Sequence, residues 1–168
     1  MRAVYRGHLS YAAHGLNEAN RFAHWSLLDS VAVTLYEPVT DRHGVVNIAK
    51  VNKTIEALRQ LGARNRRPVL IAELGIPSAR GADKQPWAVP STEAIPDPDM
   101  QARVLKPWLD GLRQPWVQGV LIWCWYSDPW AGGRKNPDFT VQNKPAARML
   151  ACRWTNNGCG PDDQVISR

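Results

Sequence analysis

A carboxylate that closes an apolar run is the feature of this sequence best suited to chemistry. Glu73 follows Val69-Leu70-Ile71-Ala72, and Gly75 keeps the backbone tight just beyond it, so the acid stands where a strand hands over to a loop. In parallel α/β folds such ends carry the reactive groups. Position alone leaves two roles open for Glu73: a catalytic carboxylate, or a loop cap or partner of an arginine. Three other apolar runs also end on polar or aromatic residues, at Ala13-His14, at Tyr36-Glu37 and from Trp123 to Asp128. Trp123 and Trp125, two apart, are expected on one face of a strand. An exposed indole there offers flat apolar surface to a ligand, with core packing as the rival role. His14 and Asn17 carry groups that can meet hydroxyls, although a lone histidine on such a loop is more often structural or solvated.

Other chemistries lack their residues. Ser10, Ser26 and Cys124 have no base at a recognisable spacing, so no serine or cysteine nucleophile is expected. Neither G-x-G-x-x-G nor a Walker pattern occurs, and Ala131-Gly132-Gly133-Arg134 is too short to replace one. The cysteine spacings do not resemble a metal site, and no metal or organic cofactor is expected. Cys152 and Cys159 bracket six residues and are spaced to close a small disulfide loop, free thiols being the alternative, so the compartment stays open. The net charge is +6, but apart from Arg64, Arg66 and Arg67 the basic residues are scattered, so no nucleic-acid partner is expected. No apolar run approaches the roughly 18 residues of a membrane span, and residues 1–7 lack the apolar centre of a signal peptide.

The elements that position these residues are legible in outline. The chain has 168 residues, 44% hydrophobic and 21% charged, enough for one core but well short of the roughly 250 residues of a complete α/β barrel. Its eight tryptophans outnumber two phenylalanines and four tyrosines, which favours flat amphipathic surface. Strands are predicted at residues 8–13, 30–36, 68–73 and 117–126, with Pro38 stopping the second. Asn47 is a good N-cap for a helix whose apolar positions are Ile48, Val51, Ile55 and Leu58, and Gly62 offers its C-terminal stop. A second helix presents Met100, Val104, Leu105, Trp108 and Leu112 on one face, and residues 144–154 form a closing helix. Residues 75–98 make a polar, proline-rich loop too long to be mere connection, and a candidate part of a site. The expected architecture is α/β, about four β/α units over residues 1–154, followed by a polar tail at 155–168.

Four segments together resemble a known family. Pro68-Val69-Leu70-Ile71-Ala72-Glu73-Leu74-Gly75, then Gln85-Pro86-Trp87, then Gln114-Pro115-Trp116 running into Trp123-Cys124-Trp125-Tyr126, then Asp138-Phe139-Thr140-Val141-Gln142-Asn143-Lys144-Pro145-Ala146 are similar to the C-terminal half of (β/α)8-barrel retaining glycoside hydrolases. Within these, the resemblance is to β-mannanase-like enzymes of the clan with catalytic glutamates after barrel strands four and seven. Residues 5–13 resemble the approach to the family's fifth strand and 31–38 its sixth, so the likeness runs from about Val4 to Leu150.

The resemblance implies the C-terminal half of a TIM barrel, strands five to eight, acting on a β-linked oligo- or polysaccharide, β-mannan among the candidates. It makes Glu73 the nucleophile that attacks the anomeric carbon, with a second carboxylate about 5 Å away needed as acid/base. The family's acid/base glutamate lies upstream of the segment matched here, and neither Glu18 nor Glu37 matches its position. Tyr36 matches the tyrosine whose hydroxyl binds the nucleophile, and Trp87 the Pro-Trp pair that covers the glycan. Trp123 and Trp125 become sugar contacts, Asp128 and Trp130 contacts to a neighbouring sugar, and His14 a partner for hydroxyls. Thr34 stands where relatives often have Asp. Four strands alone would expose two edges and an open inner face. The expectation is therefore an incomplete barrel: a truncated remnant, one half of a site shared with another chain, or two copies pairing their edges. On this expectation the chain is nearly inactive alone, and the alternative is a carbohydrate-binding or scaffold half-barrel without catalysis.

Overall fold

The structure, a computed structural model, describes residues 3–154. Four strands form one parallel sheet in the order β1 (Ala12–His14), β2 (Val31–Leu35), β3 (Val69–Leu74) and β4 (Val117–Ile122). The connections carry α1 (Gly15–Arg21), α2 (Ile48–Asn65) and α3 (Pro98–Gly111), and α4 (Pro145–Trp154) follows β4. This is the expected α/β succession, an open part of a barrel wall.

Local chemistry sets the helix ends. The Asn47 side chain accepts the Lys50 N–H at 3.0 Å, starting α2, and the Asp97 side chain accepts the Met100 N–H at 3.1 Å, with Pro98 at the first helical position of α3. The expectation that Gly62 stops α2 is corrected: the helix runs on to Asn65 and ends on Arg66 in the left-handed conformation, φ 53°. Gly62 is needed for close approach instead. A Cβ there would stand 2.8 Å from Val69 Cγ2 and 2.9 Å from the Arg67 carbonyl oxygen, so only glycine lets α2 lie this near the start of β3.

Helices cover one face of the sheet. Val51, Leu58 and Leu61 of α2, Val104, Leu105 and Trp108 of α3, and Ala146, Met149 and Leu150 of α4 join Val31, Val33, Ile71 and Leu74 in a single buried cluster. The face of α3 read from the sequence, Met100 to Leu112, is buried throughout. The opposite face is thinly covered. Leu70 and Ala72 are half-buried there, and Leu121 of β4 is 55% exposed.

Two strand boundaries differ from expectation. The first strand is three residues at 12–14 rather than 8–13, because the chain before it runs beside the turn preceding β2. There Leu9 N–H meets the Asp29 carboxylate at 2.8 Å, and Ser10 Oγ donates to the Ser30 carbonyl at 2.8 Å, in place of a ladder. The fourth strand ends at Ile122 rather than 126. Its neighbour β3 stops at Leu74, whose carbonyl takes the Trp123 N–H at 2.9 Å, and no ladder partner lies beyond it. The pairing of β2 with β3 skips a residue: Val33 faces Ile71, and Thr34 faces Glu73.

Candidate active site

Glu73 sits near the C-terminal end of β3, one strand over from Tyr36, which directly follows β2. The Tyr36 hydroxyl donates to Glu73 Oε2 at 2.7 Å. Burial, then the neighbouring carboxylate, push the Tyr36 phenol far above its ordinary value, so it stays a protonated donor. Gly75 brings the flanking loops together around this pair. A Cβ on it would lie 2.7 Å from the Trp123 carbonyl oxygen and 3.1 Å from Tyr36 Cε1, so the loops leaving β2, β3 and β4 converge only because residue 75 has no side chain.

Beside the pair opens a cleft of about 540 Å³ lined by His14, Asn17, Thr34, Tyr36, Glu37 and Trp87, among others. His14 Nδ1 lies 3.5 Å from Thr34 Oγ1, and Thr34 faces Glu73 across the sheet, which puts the ends of β1, β2 and β3 in one row. Trp87 is 53% exposed on the long loop. The base of that loop is tied to the loop after β2. Thr40 Oγ1 donates to Asp83 at 2.5 Å, and Lys84 reaches both Thr40 Oγ1, at 3.0 Å, and the Asp41 carbonyl. Burial works against the Asp83 charge, but the Thr40 hydroxyl and the Lys84 ammonium outweigh it and hold the acid below its ordinary range.

The loop leaving β4 is framed differently. Gln142, buried, uses its whole amide: Oε1 accepts from Tyr126 N–H at 2.6 Å and Thr140 Oγ1 at 2.9 Å, while Nε2 donates to the carbonyls of Tyr126 at 3.1 Å and Asp128 at 2.9 Å. Lys144, 3% exposed, donates to Ser78 Oγ at 2.7 Å, Asn136 Oδ1 at 3.0 Å and the Asp138 carbonyl at 2.9 Å. The Asp138 carboxylate in turn accepts the Tyr126 hydroxyl.

Of the residues singled out from the sequence, the structure brings together Glu73, Tyr36, His14 and Trp87, with Trp123, 46% exposed, beside them across Gly75. Two it does not. Trp125, expected on the same strand face as Trp123, lies beyond the end of β4 and lines a separate groove of about 700 Å³ with Tyr126, Arg134 and Arg148. The Asp128 carboxylate accepts the Trp130 N–H at 2.9 Å, closing a turn, and does not line the cleft at Tyr36. Glu18 is committed as well: the Tyr11 hydroxyl and the His14 N–H, the latter at 2.8 Å, both donate to it and hold its acid below the ordinary range. Glu37 lines the cleft. Cys152 lies in α4, but its suggested partner Cys159 and the tail at 155–168 lie outside the described residues.

Gln142 and Lys144 carry no role in the sequence reading, although a signal for the lysine exists. A cation directly ahead of a helix that begins with Pro145 opposes the helix dipole, so its charge must be met by acceptors elsewhere. Among the described residues no group of three His, Cys, Asp or Glu side chains is placed to hold a metal, and no helix is long and apolar enough to cross a membrane.

Residues 1–144 match the family model described as Glycoside Hydrolase Family 113. Among solved structures, the chain is similar to a β-mannanase of that family from Alicyclobacillus acidocaldarius, in complex with ManMIm, at a TM-score of 0.75 and 21% identity, covering 89% of this chain and 45% of the other. A second β-1,4-mannanase of the family gives 0.73 and 23%, covering 90% and 47%. A β-glucuronidase from Faecalibacterium prausnitzii gives 0.55 and 16%, covering 89% and 25%. The chain thus spans about half the length of the mannanases it resembles. No curated protein is similar enough to match it.

Proposed function

The chain belongs to Glycoside Hydrolase Family 113, and on that premise we propose that it carries the nucleophile side of a retaining glycosidase site acting on β-linked polysaccharide, β-mannan first among them. The observation that carries the reading is the Tyr36 hydroxyl on Glu73 Oε2 at 2.7 Å, at the strand end that borders the cleft. A carboxylate nucleophile must be ionised and aimed. The tyrosine donor fixes one oxygen, which leaves Oε1 to attack the anomeric carbon. Trp87 and Trp123, both half-exposed, supply flat surface for the sugar rings on either side of that attack.

The acid/base is not assigned to this chain. Glu18 is held by Tyr11 and His14, and Glu37, which lines the cleft, does not match the position of the family's acid/base, so the carboxylate that protonates the leaving oxygen comes, in this reading, from outside residues 3–154. Hydrolysis of an ordinary glycoside by the chain alone is then slower by the roughly 10²- to 10⁴-fold that general acid–base catalysis contributes.

The test follows from that asymmetry. An activated fluoroglycoside loses its leaving group without acid assistance, so it probes the nucleophile alone. Incubation with an activated 2-fluoro-β-mannoside should add one glycosyl mass to the intact chain, on the peptide containing Glu73, and Glu73→Gln should abolish the gain. A label that persists in Glu73→Gln would overturn the assignment. The exposed Trp87 and Trp123 also suit a carbohydrate-binding protein without catalysis. In that case manno-oligosaccharide affinity survives Glu73→Gln and the wild-type chain takes no label.

A further inference from the structure

The loop that follows Glu73 and the loop that carries Trp123 meet at a buried cation. Ser78, five residues after Glu73, offers its hydroxyl to Lys144 Nζ at 2.7 Å, and Asn136 Oδ1 and the Asp138 carbonyl complete three acceptors for three ammonium protons. The Ser78 hydroxyl itself lies 2.7 Å from the Asn136 carbonyl, and its N–H donates to the Asp138 carbonyl at 3.1 Å. From there the Asp138 carboxylate takes the Tyr126 hydroxyl, and Gln142 holds the Tyr126 backbone on both sides. One continuous set of bonds therefore runs from the loop after β3 to the loop leaving β4, and the Lys144 ammonium adds to it by binding Ser78 on one loop and Asn136 and Asp138 on the other.

We propose that Lys144 is a positioning residue of the site: its ammonium locks the loop after β3 to the loop after β4 and so fixes the distance between Glu73 and the Trp123 surface. This rests on the glycosidase reading for its purpose, not for its geometry. A neutral amine has two protons for three acceptors, so losing the charge releases at least one of the ties. Burial lowers Lys144 to about 8, with the Asp138 charge and Cys124 acting in the opposite direction. Tyr126 is pushed up by Asp138 and Cys124, and Cys124 is raised chiefly by burial. Arg134 pairs with Asp99 of α3 at 2.8 Å, Arg148 of α4 lines the adjoining groove, and Asp97 spends its carboxylate capping α3. The lock is thus closed at neutral pH and opens in mildly alkaline solution.

Tryptophan emission and acrylamide quenching, read from pH 6 to 10 on the full chain, test the lock without any ligand. Trp125 lines the same groove as Lys144 and, like Trp123, is exposed, whereas Trp25 and Trp108 are buried. The wild type should show a reversible step near pH 8, with far-UV circular dichroism unchanged. Lys144→Met should show no step and the high-pH signal throughout. Asp138→Asn, which removes the charge that favours the ammonium, should move the step to lower pH. Absence of a step in the wild type overturns the lock, and so does a step that survives Lys144→Met. If Lys144→Met does not fold, an unmoved step in Asp138→Asn overturns it alone.

The rate of fluoroglycoside labelling at Glu73 should fall about tenfold across the same range, as expected when reacting groups drift from alignment. Labelling that stays flat while emission steps overturns the positioning role. A wild type that never labels counts against the glycosidase reading and leaves the lock to be judged by emission.

Discussion

The two sides of Glu73 are built on different plans. Toward β1 and β2 the cleft walls are His14, Tyr36, Glu37 and a half-exposed Trp87, and the loop that bears Trp87 is tied to its neighbour chiefly through Asp83, Thr40 and Lys84. Toward β4 the framing groups are Gln142 and Lys144, both buried and each making three or four side-chain hydrogen bonds, all within the segment between β4 and α4 except the Lys144–Ser78 bond. Side chains open to solvent give up little when removed, whereas each buried partner left unsatisfied costs about 1–3 kcal/mol. The contrast separates residues that would meet a ligand from residues that hold the frame.

The strongest challenge to that contrast is Gln142→Ala. It strands the Tyr126 N–H and the carbonyls of Tyr126 and Asp128, and should lower unfolding free energy by about 3 kcal/mol in a urea titration. A cost below about 1 kcal/mol would dissolve the distinction between frame and wall. Next in size is Gly62→Ala, where a new methyl overlaps a backbone carbonyl and Val69. Overpacking of about 1–3 kcal/mol should exceed the roughly 1 kcal/mol an alanine gains in a helix, giving a small net loss in the same titration.

Asp83→Asn should cost about 1 kcal/mol at neutral pH and nothing in acid. The folded chain holds this acid below its ordinary value, so its stabilisation is present above pH of about 4 and disappears as pH falls through the lower folded value. Comparing wild-type and variant melting temperatures from pH 2 to 7 checks the sign: the curves should converge at the acid end. Trp87→Ala stands last for stability, within about 0.5 kcal/mol, yet it should weaken manno-oligosaccharide binding measured by calorimetry. A large loss of stability there would move Trp87 from the cleft wall into the frame.

Much of the fold was readable because parallel strands and their helices write themselves in local pattern. The apolar face from Met100 to Leu112, the Asn47 cap and the run ending at Glu73 each needed only neighbours in sequence. What escaped depends on distant partners. Gly62 has the same form whether it ends a helix or admits a strand, and only the position of Val69 decides between them. Residues 123–126 are apolar enough for a strand, but β3 ends at Leu74 and leaves them no ladder, so Trp125 turns to another groove. In the candidate site, the contact of Tyr36 with Glu73 was legible from strand ends and resemblance together. Lys144 was not, because its three acceptors come from residues 78, 136 and 138, and a lysine in sequence ordinarily signals solvent.

The skipped residue between β2 and β3 has its consequence in parity. Side chains along a strand alternate, so Val69 and Ile71, both fully buried against the helices, would be followed on that side by residue 73. A regular strand would aim the Glu73 carboxylate into the apolar layer. Instead the buried series runs 69, 71, 74, and Leu74 takes the place under the helices at 1% exposure. One step of miscounting in the ladder thus turns an acid out of the hydrocarbon and toward the Tyr36 hydroxyl. Where this acid is placed is a matter of odd and even along the strand.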